Sequence, residues 1–182
     1  AVVTPDGRVV VYLGDDERGE YLYRYVSSGT FEAGGDTSTL LDDGQLYVAR
    51  FDDDMTGSWV ALTPEATGME PAEILIHTRI AASAVDATTM DRPEWVAVHP
   101  GRAQAYCALT NNKNRAVEPN AGGDPTPATG PNPRPENNYG QIVRWTPDGE
   151  DHAADTFAWD LYVMAGNPIV ANYFDQFCTV YY

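Results

Sequence analysis

Two side chains of opposite charge flank a proline where an apolar strand pattern begins. Arg92 and Glu94 lie on either side of Pro93, which fixes its own φ and favours an extended conformation for Arg92. Because side chains at i and i+2 share a face of an extended chain, we expect both to point the same way, with Val96 and Val98 behind them. A guanidinium offers a planar fork for phosphate, and a carboxylate beside it can bind a hard metal ion. The pair therefore predicts a metal-assisted phosphoryl site, with a salt bridge at the start of a strand as the alternative.

Carboxylates are also concentrated in two predicted turns. Asp15, Asp16 and Glu17 follow Gly14 at the end of a β-branched run, where they form either a cation site or a solvated turn. A second acidic run, residues 52–54, lacks the glycine and the distal glutamate of an EF-hand. We interpret the second run as an ordinary turn between strands.

Short runs of β-branched and aromatic residues, separated by turns rich in Gly, Asp and Pro, predict antiparallel β-strands. These strands are expected at residues 8–13, 20–26, 44–51, 57–62, 94–99, 104–110, 139–145 and 156–164. One inserted helix is predicted at residues 71–85, where Pro71 suits the first turn and apolar residues recur at helical spacing. Periodicity alone indicates a mostly β, antiparallel fold, for which a β-sandwich is an alternative.

Residues 111–138 are dense in asparagine, glycine and proline, so they predict a long loop. A loop of this length in a compact domain is usually functional or mobile. Arg115 and Arg134 lie in it, and each could either reach an anion or offset nearby carboxylates.

The chain is acidic, with 11 Lys and Arg residues against 27 Asp and Glu residues and a net charge of -16. Nucleic acids and anionic membranes are therefore excluded as expected partners, whereas calcium would suit the carboxylates. A phosphate ester would be repelled unless bound cations inverted the local field. The sequence contains no recognisable signal peptide or membrane span. Because it starts at Ala1 without an initiator, we expect a mature or partial polypeptide.

Two cysteines do not make a disulfide framework, and their separation says nothing about pairing. Cys107 lies in an alternating apolar run and is interpreted as a small buried hydrophobic residue. Cys178 lies near the end of the chain, in an aromatic tail.

Several motifs, taken in order, resemble the PhoX-type alkaline phosphatases. They are Gly14-Asp15-Asp16-Glu17-Arg18, Asp91-Arg92-Pro93-Glu94-Trp95, Ala105-Tyr106-Cys107-Ala108-Leu109-Thr110-Asn111-Asn112, Asn132-Pro133-Arg134, Tyr139-Gly140-Gln141-Ile142-Val143-Arg144-Trp145, Asp151-His152-Ala153-Ala154 and Phe157-Ala158-Trp159-Asp160. The resemblance covers residues 1–168 and leaves residues 169–182 as an unmatched tail. It implies an all-β propeller, of which this chain would supply about three to four blades.

The resemblance also implies a function, the hydrolysis of phosphoric monoesters with iron and calcium in the periplasm or outside the cell. Carried over residue by residue, Arg92 resembles the arginine that binds the phosphoryl group, and Glu94 resembles a metal ligand. The acidic run resembles part of a cation site and comprises Asp15, Asp16 and Glu17. Further contacts to the site are implied for Asn111, Asn112 and Asn137.

The chain also departs from the family pattern. PhoX-type enzymes are longer, and they carry an N-terminal cysteine motif that binds iron and a further His/Glu motif, which this sequence lacks. Cys178 lies outside the matched region, so no ligand role transfers to it. Because a propeller without all its blades leaves sheet edges open, we expect further polypeptide to complete it.

Two other function classes remain open. One is a catalytically inactive, calcium-stabilised propeller that acts as a binding or assembly module at the cell surface. The other is a different propeller hydrolase, such as a calcium-dependent lactonase, whose site would not need Arg92.

Overall fold

The computed structural model describes residues 1–166, which form a nine-stranded sheet and three short α-helices. The strands are β1 (Val2–Val3), β2 (Arg8–Gly14), β3 (Leu22–Thr30), β4 (Gly44–Phe51), β5 (Thr56–Ala61), β6 (Pro93–Val98), β7 (Ala105–Leu109), β8 (Gln141–Pro147) and β9 (Thr156–Met164). The helices are α1 (Pro64–Thr67), α2 (Pro71–Ile76) and α3 (Thr78–Ala84), and a 3₁₀ turn spans Asp148–Glu150.

The strands pair antiparallel in the order β1-β2-β3-β4-β5-β9-β8-β7-β6. Strands β1 to β5 therefore form one antiparallel meander and strands β6 to β9 form a second, and the pairing of β5 with β9 joins the two. The sheet curls so far that β6 lies beside β2, which nearly closes it into a barrel. The all-β, propeller-type fold predicted from the sequence is confirmed.

Two hydrophobic clusters stabilise the sheet, one on each of its faces. The inner cluster is aromatic and includes Trp59, Trp145 and Phe157. The outer cluster lies under α2 and α3, where Tyr21 and Tyr23 pack against helical residues. The alternation along β3 explains why the strand is buried on both faces, because its side chains enter the two clusters in turn.

The inserted helical segment predicted at residues 71–85 is present but divides at His77, which has φ -118° and ψ 46°. Thr78 Oγ1 donates hydrogen bonds to the carbonyl oxygens of Ile74 and Leu75, at 3.0 and 3.2 Å, and so satisfies groups freed by the break. The helix α1 was not predicted. No helix within residues 1–166 has the length and apolarity needed to cross a lipid bilayer.

The acidic run at residues 52–54 forms the turn between β4 and β5, as predicted. Cys107 is completely buried in the inner cluster, which confirms its interpretation as a core residue. Burial raises the pKa of the Cys107 thiol to about 12. Cys178 and the predicted tail, residues 169–182, lie outside the described residues.

Candidate functional site

Two of the motifs, residues 14–18 and residues 91–95, meet at a seam where the end of β2 approaches the start of β6. A Cβ atom on Gly14 would lie 2.3 Å from the carbonyl oxygen of Pro93, so only glycine allows this approach. Just beyond, Arg18 and Asp91 form an isolated antiparallel bridge. The fold thus brings the acidic run after β2 next to the segment that begins at Asp91.

Arg92 contacts this acidic run directly. Its Nε atom lies 3.1 Å from Asp16 Oδ1, and its Nη2 atom donates a hydrogen bond of 3.2 Å to Asp16 Oδ2. The guanidinium is about one quarter exposed and holds the carboxylate by both oxygens. Two residues that the sequence assigned to different roles therefore lie together.

The backbone of Arg92 is not extended as predicted, because its φ is 48°. This left-handed conformation turns the chain sharply between the buried Asp91 and the buried Pro93. The argument that Arg92 and Glu94 share a face because they lie two apart in an extended chain is therefore wrong.

A β-bulge at the start of β6 decides where Glu94 points. Pro93 pairs with Leu109 and Val96 pairs with Cys107, so two residues of β6 lie opposite the single residue Ala108 of β7. Glu94 and Trp95 are consequently both exposed, whereas Val96 packs against the inner cluster. The expectation that Val96 and Val98 lie behind Glu94 on its own face is wrong for this reason.

The acidic run has a buried neighbour that sequence reasoning missed. Glu20 is only 4% exposed, its Oε1 lies 3.6 Å from Arg79 Nε, and its Oε2 has no hydrogen-bond partner among the described residues. Burial, reinforced by the charge of Asp15, raises the pKa of Glu20 to about 7. Burial also raises the pKa of Asp15. Asp15 and Glu17 are nevertheless more exposed than Glu20.

The predicted ligands do not assemble into a complete metal site within residues 1–166. Nowhere in this part of the chain do three or more His, Cys, Asp or Glu side chains form a group that could hold a metal ion. Glu94 and the acidic run therefore need additional ligands to bind iron or calcium.

Asp91 is the centre of a buried polar network and is fully inaccessible to solvent. Its Oδ1 accepts hydrogen bonds from Arg115 Nε at 2.6 Å and from Asn112 Nδ2 at 2.9 Å. Its Oδ2 accepts from Asn137 Nδ2 at 2.9 Å and from Gln141 Nε2 at 3.3 Å. The sequence analysis included Asp91 in the motif of residues 91–95 but predicted no role for it. The dense amide side chains of residues 111–138 were the available signal, since a buried carboxylate needs several donors.

The two arginines of the long loop have structural partners. Arg115 donates through Nη1 to Thr89 Oγ1 and through Nη2 to the Thr89 carbonyl, in addition to its pairing with Asp91. Arg134 donates to the carbonyl oxygens of Gly140 and Ala165. Asn112 and Asn137, predicted to contact the site, bind Asp91 and form a backbone bridge. Two roles were predicted for Arg115, to reach an anion or to offset a nearby carboxylate. The pairing with Asp91 is the second of these roles.

Residues of this loop also line a cavity of about 380 Å³. Its lining includes Arg50, Asp53, Asp124 and Arg115, and it contains neither Arg92 nor Glu94. The roles predicted for Arg92, Glu94 and the acidic run stay predictions at this point.

Comparisons with known proteins agree on one family. The family model described as alkaline phosphatase PhoX matches residues 1–178. A solved structure of Pseudomonas fluorescens PhoX, in complex with vanadate, a transition state analogue, is 48% identical in sequence with a TM-score of 0.83. That similarity covers 92% of this chain and 31% of that chain, so this chain spans about one third of the solved protein. No curated protein matches the chain.

The family match runs past residue 168, where the resemblance was predicted to end. That predicted boundary lies outside the described residues, and the division at residue 168 stays a prediction.

Proposed function

Because the chain belongs to the PhoX family of alkaline phosphatases, we propose that it is part of a metal-dependent phosphoric monoester hydrolase. The family supports phosphatase chemistry, while the share of the solved protein that this chain spans makes the activity of the chain alone a separate question. We propose that further polypeptide completes the propeller and the site.

The observation that carries the proposal is the two-point contact between the Arg92 guanidinium and the Asp16 carboxylate. A phosphoryl group presents a pair of oxygens to such a fork in the same way as a carboxylate does. Arg92 thus already binds an anion of suitable geometry, at a partly exposed position two residues before Glu94 in the chain. In the proposed enzyme, its charge stabilises the phosphoryl oxygens as negative charge develops on them.

Asp16 and Glu94 have distinct parts in this proposal. Asp16 orients the guanidinium before a substrate arrives, and the phosphoryl oxygens then replace its carboxylate on Nε and Nη2. Glu94 projects a carboxylate outwards from the bulge, where it can join ligands from other polypeptide. Iron and calcium, which the family resemblance implies, would polarise the phosphoryl group once bound. The described residues do not by themselves form a complete site for either ion.

The resemblance is also the basis for proposing a phosphomonoester substrate and a periplasmic or extracellular location. An acidic chain with a net charge of -16 attracts cations strongly, which fits the proposed dependence on metal ions.

A second candidate is the catalytically inactive, calcium-stabilised module at the cell surface. It is favoured by the sequence, which lacks the cysteine motif and the His/Glu motif of the PhoX-type enzymes and ends in an aromatic tail. Metal analysis of the purified protein by mass spectrometry separates the two candidates. Iron together with calcium supports the phosphatase, calcium alone supports the module, and neither metal argues against both.

Substitutions in the full-length protein test the phosphatase directly. With p-nitrophenyl phosphate, Arg92→Ala should lower kcat about a hundredfold or more, the scale of losing one preorganised charge-stabilising donor. Its metal content should remain normal, whereas Glu94→Gln should lower the bound iron or calcium. The 182-residue chain alone should hydrolyse this substrate negligibly.

Matched controls are available on the exposed surface. Arg102→Ala removes an exposed arginine from the turn between β6 and β7, and Glu65→Gln neutralises an exposed glutamate of α1. Both should leave activity and metal content unchanged. Normal activity in Arg92→Ala and Glu94→Gln would show that residues 91–95 serve only the structure of β6.

A further inference from the structure

Trp95 differs from every other tryptophan of the chain in its exposure. The chain contains four tryptophans, and Trp59, Trp145 and Trp159 are 3%, 0% and 7% exposed in the core. The side chain of Trp95 is 77% exposed. Leaving a large indole in water forgoes the free energy of burying it, so a ligand that covered Trp95 would gain that free energy.

The bulge at the start of β6 is the device that exposes this indole. In a regular strand, Glu94 and Trp95 would point to opposite faces of the sheet, and one of them would enter the inner cluster. The extra residue opposite Ala108 places both on the outside. Bulges that re-aim side chains in this way are common beside active sites.

The position of Trp95 relates it to the proposed phosphoryl site. It directly follows Glu94, and Arg92 lies three residues before it at the seam with the acidic run. The indole therefore lies in the same four-residue segment as a guanidinium that binds a carboxylate. A phosphomonoester bound at Arg92 must place its leaving group somewhere beyond the phosphoryl oxygens, and the indole offers a surface for that group.

We propose that Trp95 forms the leaving-group subsite and gives the protein a preference for phosphomonoesters of aromatic alcohols and nucleosides. This inference rests on the phosphatase function proposed above and names its substrate class. The indole stacks on the ring of the leaving group, which excludes water from both surfaces. Aliphatic esters such as glycerol phosphate gain no such contact.

Phosphonates that cannot be hydrolysed test binding without depending on turnover. Phenylphosphonate carries the ring, and methylphosphonate presents the same anion without it. We expect the full-length protein to bind phenylphosphonate about tenfold more tightly, the scale of one stacking contact. Trp95→Leu should abolish this difference while retaining methylphosphonate binding, and Trp95→Phe should restore most of it. Leu75→Ala, which removes another exposed apolar side chain, is the matched control and should change neither affinity.

Tryptophan fluorescence supplies an independent readout. Subtracting the emission of Trp95→Leu from that of the wild type isolates Trp95, whatever other tryptophans a longer protein contributes. The difference emission should be quenched readily by acrylamide and protected by phenylphosphonate but not by methylphosphonate.

The outcomes separate this inference from the proposed function. Equal affinities of the wild type for the two phosphonates, or an unchanged preference in Trp95→Leu, would overturn the subsite and leave the phosphatase intact. Difference emission that acrylamide cannot reach would also overturn it, because other polypeptide would then cover Trp95. Failure to bind either phosphonate would overturn the proposed function itself, and the subsite with it.

Discussion

The buried carboxylate of Asp91 should be among the most sensitive positions of the chain, and Asp91→Asn perturbs it with the least change in shape. The amide nitrogen must replace one of two oxygens, each of which accepts from two donors. At one position Asn112 and Arg115 lose their acceptor, and at the other Asn137 and Gln141 lose theirs. Either way, the new amide hydrogens face N–H groups in a site without access to solvent.

The expected cost follows from the burial of the ion pair. The side chains of Arg115 and Asp91 are 1% and 0% exposed, so the guanidinium would remain charged without a buried counter-ion. Breaking such a pair by removing one partner destabilises a protein by about 3–5 kcal/mol. With an m value of about 2 kcal/mol/M, the midpoint of urea unfolding should fall by about 1.5–2.5 M.

Urea unfolding followed by tryptophan fluorescence measures this shift, because three of the four tryptophans are in the core. The matched control is Asp160→Asn, which breaks the Arg144–Asp160 pair on the surface, where the side chains are 27% and 42% exposed. That substitution should cost at most about 1 kcal/mol. Similar midpoints for the two variants would refute the reasoning that burial of Asp91 makes its network essential to the fold.

Two further expectations concern Gly14, at the seam between β2 and β6, and the buried His152. Gly14→Ala places a Cβ atom 2.3 Å from the Pro93 carbonyl oxygen and should lower stability by about 1–3 kcal/mol, whereas Gly101→Ala, which meets open space, should not. Equal urea midpoints for these variants would contradict the close approach of β2 and β6. Burial lowers the pKa of His152 below its usual 6.5, so the unfolded chain binds its proton more readily. The stability contributed by neutral His152 is therefore present above pH 6.5 and lost as the pH falls through the lowered pKa. The variant His152→Gln should accordingly lose less stability than the wild type between pH 7.5 and pH 5. Equal losses of stability in the two proteins would contradict this.

The strands could be predicted because their signal is local. Alternating β-branched and aromatic residues between turns gave β2 to β9 within a few residues of their observed limits. The family could be predicted for a related reason, since its motifs are short runs whose order is read directly from the chain. The break at His77 escaped prediction, because the apolar spacing of residues 71–85 does not record which residues a continuous helix would leave exposed. Leu75 and Ile76 are in fact exposed.

The arrangement of the site could not be predicted to the same extent. Spacing two apart implies a shared face only in a regular strand, and Arg92 has a positive φ while β6 contains a bulge. Both irregularities lie where this segment meets distant parts of the chain, at the pairing with β7 and the approach of Gly14.

By itself, the sequence determined the residue types that can do phosphoryl chemistry, the strands that carry them and the family to which the chain belongs. Only the tertiary structure decided that Arg92 lies against Asp16, that Trp95 faces outwards beside Glu94, and that Asp91 is buried among donors from residues 112–141. The physical reason is the range of the interactions involved. Strand propensity acts between neighbours in the chain, whereas ion pairs and buried hydrogen bonds depend on which segments the nearly closed sheet brings together.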